Sequence, residues 1–129
     1  KKERYRVFEF LNSEALMMAS GRANLVITRA GGTLFEVALL EIPAIVIPIT
    51  DSNGDHQRKN AYSYARHGAG VVIEEANLSP HILVSEISRI LDKPEIRASM
   101  SEGARRFAKP DASKRIASII LNLALEHEK

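Results

Sequence analysis

The stretch Asn24-Leu25-Val26-Ile27-Thr28-Arg29-Ala30-Gly31-Gly32-Thr33-Leu34-Phe35-Glu36 decides the fold. It passes from an apolar, β-branched segment through two glycines into a run of helix formers. A strand over 24–28 turning at once into a helix over 33–40 opens a strand–helix–strand crossover. Pro43 stops the helical pattern, and Ala44-Ile45-Val46-Ile47-Pro48 follows as a short continuous apolar run. Such a run fits a strand buried on both faces of a parallel sheet.

The alternation continues outward in both directions. Downstream, Thr50-Asp51-Ser52-Asn53-Gly54-Asp55 is a loop by composition, and Asp55 stands as the N-cap of a helix from His56 to about His67. Gly68 and Gly70 end that helix, and Val71 to Ile73 reads as the next strand. Ser79-Pro80 starts a helical remainder, with helices over about 80–91, 95–107 and 111–126. Upstream, Arg6 to Leu11 is rich in strand formers and predicts a first strand, after which Asn12 or Ser13 caps a helix to about Ser20. Strands alternating with helices give an α/β domain with a Rossmann-like parallel sheet and flanking helices. Four strands is a small sheet, and no internal repeat is present.

Composition narrows the function. The 129 residues make one domain, with 45% hydrophobic residues for a core and 26% charged residues. The net charge of +2 and 5% aromatic content lack the basic face and stacking platforms of a nucleic-acid binder. The densest basic stretch, from Arg97 to Arg115, reads as a solvated helical face. There is no cysteine, which excludes disulfides and thiol chemistry. No apolar run is long enough to span a bilayer, and nothing reads as a signal peptide. The opening Lys1-Lys2-Glu3, without methionine and leading directly toward a strand, reads as a cut inside a larger protein.

Two clusters carry candidate chemistry. At Arg29 to Thr33 a strand ends, two glycines turn and a helix begins, so unpaired helix amides sit at the positive end of a dipole where a phosphate can bind. Glu36 lies one turn further on, placed to accept two hydrogen bonds from a ribose diol. The second cluster is Asp55-His56-Gln57-Arg58-Lys59-Asn60. His56, Gln57 and Asn60 share one helical face, and amides both give and accept hydrogen bonds, as sugar hydroxyls do. Taken singly, an ordinary strand-to-helix turn and a polar helix start explain each cluster as well. Together they lie just after the carboxyl ends of consecutive parallel strands, where open α/β sheets bind ligands, and describe a nucleotide-sugar pocket.

The ordered set Arg29-Ala-Gly-Gly-Thr-Leu-Phe-Glu36, Ile42-Pro43-Ala44, Pro48, His56-Gln57-Arg-Lys-Asn60-Ala61 and Gly68-Ala69-Gly70 resembles the donor-binding half of MurG-type N-acetylglucosaminyltransferases. More loosely it is similar to the wider GT-B nucleotide-sugar transferases. The resemblance covers nearly the whole chain, from Phe10-Leu11 to Lys109-Pro110-Asp111-Ala112. It implies a C-terminal donor domain spanning residues 1–129, N-terminally truncated, of an inverting hexosyltransferase. That enzyme would move N-acetylglucosamine from UDP to the lipid-linked muramyl-pentapeptide of peptidoglycan synthesis, at the cytoplasmic face of the inner membrane. The resemblance implies that Glu36 binds ribose, that Arg29, Gly31, Gly32 and Thr33 lie along the diphosphate, and that the Leu11 backbone reads the uracil edge. It implies His56, Gln57 and Asn60 near the sugar, with Gln57 foremost.

The resemblance also implies what is elsewhere. The family's first phosphate loop, of Gly-Gly-Ser-x-Gly type, is absent from these residues, as is the N-terminal domain that holds the lipid-linked acceptor and the catalytic base. No catalytic residue and no transferase activity are therefore expected of this chain alone. The glycine turn is one residue shorter than in some relatives. No Asp-x-Asp pair stands ready for a metal beside a diphosphate, no zinc spacing occurs, and no cofactor is expected. Two alternatives remain: another GT-B subunit, such as the one that forms dolichol-linked chitobiose, or a non-catalytic α/β assembly module. His67 reads as a helix-end residue, His81 and His127 as solvated, and Met17-Met18 as core filler. Ile116, Ile119, Ile120 and Leu123 form an apolar stripe on the last helix, expected to pack on the chain's own sheet or to associate with another surface.

Overall fold

The computed structural model describes residues 4–51 and 53–127, the last by its backbone; the expectations for Lys1–Glu3, Ser52 and the His127 side chain lie outside the described residues. Three short strands, β1 (Val26–Thr28), β2 (Ala44–Val46) and β3 (Gly70–Val72), form a parallel sheet in the order β1-β2-β3. Helix α1 (Ser13–Ser20) precedes the sheet, α2 (Thr33–Leu39) links β1 to β2, and α3 (His56–Arg66) links β2 to β3. Helices α4 (Pro80–Leu91), α5 (Pro94–Phe107) and α6 (Ala112–His127) follow.

The predicted strand at Arg6–Leu11 does not form, so the sheet has three strands among the described residues and not four. Its residues suit a strand, but a strand needs neighbouring backbone groups to pair with. Here Val7, Phe8 and Phe10 are 75%, 59% and 82% exposed, and no ladder partner lies beside them among the described residues. Met17 and Met18 also depart from expectation: at 63% and 70% exposure they fill no core. Asn12 caps α1 as predicted, its Oδ1 accepting from the Ala15 amide at 2.8 Å. Ser79 caps α4 in the same way, with Pro80 at the first turn.

Strand β2 fixes the layering. Side chains alternate across a strand, so Ala44 and Val46 face one core and Ile45 and Ile47 the other. The first core joins Leu34, Val37 and Ala38 of α2 to Ala61 and Tyr64 of α3. The second joins the sheet to Ile90 of α4. Helix α5 serves both, placing Ala104 and Phe107 in the first and Met100 in the second. Burying a side chain such as Ile45, wholly shielded, contributes about 1.5–3 kcal/mol.

Two close contacts fix α3 and α5. The Tyr64 hydroxyl donates to the Ile42 carbonyl at 3.1 Å, and its ring meets Phe107 edge-on at 5.0 Å. Gly68, with φ of 76°, turns the chain out of α3, and Gly103 of α5 rests on that turn so closely that a Cβ there would lie 2.5 Å from the Gly68 carbonyl carbon. The basic stretch from Arg97 to Arg115 is mostly solvated, as read, with Arg105 holding Glu41 through two hydrogen bonds of 2.9 and 2.7 Å. Arg97 departs from this pattern: it donates to the carbonyls of Ile90 and Leu91 at the end of α4. Helix α6 does not fold onto the sheet; Ile116, Ile119, Ile120 and Leu123 are each more than half exposed.

Candidate functional site

The carboxyl ends of β1, β2 and β3 each open into a loop. Of the predicted residues, Arg29, Gly31 and Gly32 lie on the loop after β1, Thr33 and Glu36 on α2, His56, Gln57 and Asn60 on α3, and Leu11 apart from them ahead of α1. After β1 the backbone passes Arg29 and Ala30 to the glycine pair, and α2 begins at Thr33 with Gly32 as its N-cap. The amides of Leu34 and Phe35 bond back to the carbonyls of Gly31 and Gly32 at 3.2 and 3.0 Å. That leaves the Gly32 and Thr33 amides, among the described residues, without a backbone acceptor at the positive end of the helix.

The two glycines are not demanded by the fold. Neither has a positive φ, and a Cβ added to either meets nothing within 4 Å. The fold leaves open space over the turn, which is what a ligand approaching the backbone needs.

Glu36 is exposed one turn into α2. It lines a cavity of about 210 Å³ between α1 and α2, together with Ser13, Leu16, Met17, Leu39 and Leu40. Leu11 lies half-buried just ahead of α1 and is not among the cavity's lining residues.

The second cluster enters through α3. Asp55 occupies the cap position, but its side chain makes no capping hydrogen bond, because its backbone is left-handed, with φ of 57°. An N-cap side chain reaches its helix amides from an extended backbone, which Asp55 lacks. His56 Nδ1 lies 2.6 Å from the Asn53 carbonyl. The Gln57 Oε1 accepts from the Ile49 amide at 3.1 Å, and the Asn60 amide donates to the Ala30 carbonyl at 3.1 Å. Gln57 and Asn60 thus hold the loops after β2 and β1.

A carboxylate not singled out in the sequence completes the arrangement. Glu75, in the short 3-10 turn Glu75–Asn77 after β3, accepts from Arg29 Nη1 at 2.6 Å through one oxygen. Its other oxygen accepts from the Thr50 amide and hydroxyl at 3.2 and 2.8 Å. Hydrogen bonds from Thr50 and then from Arg29 hold the Glu75 carboxyl below the usual carboxylate range. Its neighbour Glu74 turns the other way and takes Arg58 at 3.2 Å and the Tyr62 hydroxyl at 2.7 Å, both from α3. Two adjacent acids directly after a strand were the available signal for this network. Among the described residues no cluster of His, Asp or Glu could hold a metal ion, and no helix is long and apolar enough to cross a membrane.

Comparison with known proteins places the chain in a family. The model of the glycosyltransferase family 28 C-terminal domain matches residues 1–116. The chain is 39% identical over 118 residues to the UDP-N-acetylglucosamine--N-acetylmuramyl-(pentapeptide) pyrophosphoryl-undecaprenol N-acetylglucosamine transferase of Anaeromyxobacter sp. (strain K), covering 91% of this chain and 30% of that one. It is 38% identical over 117 residues to the enzyme of the same name from Gloeobacter violaceus, covering 90% of this chain and 32% of the relative. The crystal structure of Acinetobacter baumannii MurG superposes with a TM-score of 0.79 at 29% identity, covering 91% of this chain and 33% of that one. The chain therefore spans about a third of the length of these relatives.

Proposed function

The chain belongs to the glycosyltransferase family 28 C-terminal domains, and from that premise we propose that the surface at the carboxyl ends of its strands binds UDP-N-acetylglucosamine as a glycosyl donor. The observation that carries the reading is the glycine turn. Gly31 and Gly32 are required by neither backbone angle nor packing, and the carboxylate of Glu36 stands one turn away.

The donor would lie across the loops with its diphosphate over the Gly32 and Thr33 amides. Arg29 would add a fixed positive charge beside it. Glu36 would accept from the ribose hydroxyls. That pose directs the uracil toward the cavity between α1 and α2, whose Leu16, Leu39 and Leu40 suit the face of a flat ring. The Leu11 backbone, at the start of α1, would read the edge of the base. The sugar would extend toward α3, where His56 and Gln57 are placed to meet its hydroxyls. Asn60 would hold the glycine turn with its amide and offer Oδ1 as an acceptor.

The reaction proposed for the whole protein is transfer to the lipid-linked muramyl-pentapeptide, the acceptor named for its relatives. An acceptor hydroxyl oxygen bonds to the anomeric carbon, the bond from that carbon to the UDP oxygen breaks, and UDP leaves with the electron pair. A base outside these residues takes the hydroxyl proton. The part these residues play is to position the donor and to stabilise charge growing on UDP, through amides and a guanidinium already in place. The acceptor would sit at the membrane, with the protein attached peripherally on the cytoplasmic side.

Calorimetric titration of the full natural chain that carries these residues tests the reading. UDP and UDP-N-acetylglucosamine should bind, and ADP should bind at least tenfold more weakly. Equal affinity for ADP, or no binding of either uridine nucleotide, would overturn it.

A further inference from the structure

We propose that Glu75 is a positioning residue of the donor site, bridging Arg29 and Thr50 so that the guanidinium is presented to the diphosphate in one fixed orientation. The proposal rests on the donor-binding reading above. It starts from where the sheet ends. The final ladder bonds run from the Ile47 amide to the Thr28 carbonyl at 2.9 Å and from the Ile73 amide to the Val46 carbonyl at 3.0 Å. Beyond them, among the described residues, regular backbone pairing no longer sets the spacing of the three loops.

Glu75 restores a connection there. One carboxylate oxygen meets Arg29 of the loop after β1 at 2.6 Å. The other meets both the amide and the hydroxyl of Thr50, in the loop after β2, at 3.2 and 2.8 Å. Arg29 also donates from the same Nη1 to the Ile47 carbonyl at 3.1 Å. Its two bonds are thus made by one corner of the guanidinium, and among the described residues Nε and Nη2 have no partner. A guanidinium is a rigid planar fork, so fixing one corner fixes the direction of the remaining donors. Those donors suit a phosphate oxygen, which a freely rotating side chain would meet at greater entropic cost.

The role needs two acceptor oxygens on one side chain. Glutamine at this position keeps the shape and a single acceptor, so it can serve Arg29 or Thr50 but not both. Aspartate keeps both oxygens on a shorter stem. A general brace would support every part of the donor equally, whereas an effect passed through Arg29 falls on the phosphates alone.

The test uses the full natural chain, with UDP and the phosphate-free nucleoside uridine as probes, and thermal melting as a check on folding. Glu75→Gln should weaken UDP about fivefold to tenfold and leave uridine within twofold. Glu75→Asp should recover part of the UDP loss. Because Glu75 acts through Arg29, the double variant Arg29→Gln/Glu75→Gln should bind UDP no more weakly than Arg29→Gln alone. Unchanged UDP affinity in Glu75→Gln, equal losses for UDP and uridine, or a double variant that loses the product of the two single effects would each overturn the proposal. UDP failing to bind the unaltered protein would overturn the donor reading itself, and this proposal with it.

Discussion

The Asn60 side-chain amide donates to the Ala30 carbonyl at 3.1 Å, tying the first turns of α3 to the residue just before the glycine pair. The two clusters that the sequence marks as phosphate and sugar sites are therefore mechanically one unit. Asn60→Ala should loosen the turn and cost about 1 kcal/mol in UDP binding, the net worth of one hydrogen bond. Calorimetry on the variant checks this; affinity equal to the unaltered chain would mean the tether is irrelevant to the site.

The glycine turn separates ligand binding from stability. Gly31→Ala meets no steric obstacle, because a Cβ there has nothing within 4 Å. Reducing the freedom of the unfolded chain should leave the melting temperature unchanged or raise stability by up to about 1 kcal/mol. UDP affinity should nonetheless fall, since the methyl group would occupy the space proposed for the phosphates. A variant that melts early and binds normally would reverse this account.

Glu36 and Gln57 should report different parts of the donor. Glu36→Gln should weaken UDP by about 1–3 kcal/mol through loss of charged hydrogen bonds to ribose. Gln57→Glu keeps an oxygen that can accept from the Ile49 amide. It should weaken UDP-N-acetylglucosamine and spare UDP. Parallel losses for both ligands in Gln57→Glu would remove that residue from the sugar site.

Stability should fall in acid through two carboxylates. Hydrogen bonds from Thr50 and Arg29 lower Glu75, and those from Arg105 lower Glu41. A carboxyl lowered on folding stabilises the fold above its unfolded value near 4.5, and that contribution disappears as the pH drops through the folded value. Arg105→Ala should therefore lower the melting temperature at pH 7, and by less and less as the pH falls below 4.5. A gap that does not narrow in acid would assign Arg105 a role other than charge pairing.

Much of this was legible in the sequence, for physical reasons. Two glycines between a β-branched run and helix formers have few alternatives to a strand–turn–helix, and Ala44–Val46 is buried on both faces as its unbroken apolar pattern requires. Asn12 and Ser79 cap where short polar side chains meet unpaired amides. Pattern fails where the outcome depends on distant partners. Arg6–Leu11 has strand composition but no strand to pair with among the described residues. Asp55 has a capping side chain but a left-handed backbone. Asn60 reads as a sugar ligand, yet its amide is spent on Ala30, thirty positions away. Glu75 escapes altogether, because its partners Arg29 and Thr50 are brought to it only by sheet order.

Amide chemical-shift mapping during titration with UDP-N-acetylglucosamine tests the central claim most directly. The account predicts that the largest changes fall on Gly31, Gly32, Thr33 and Leu34, with a second group at His56 and Gln57. Changes confined to the surface between α5 and α6, or none at the glycine turn at saturating donor, would contradict it.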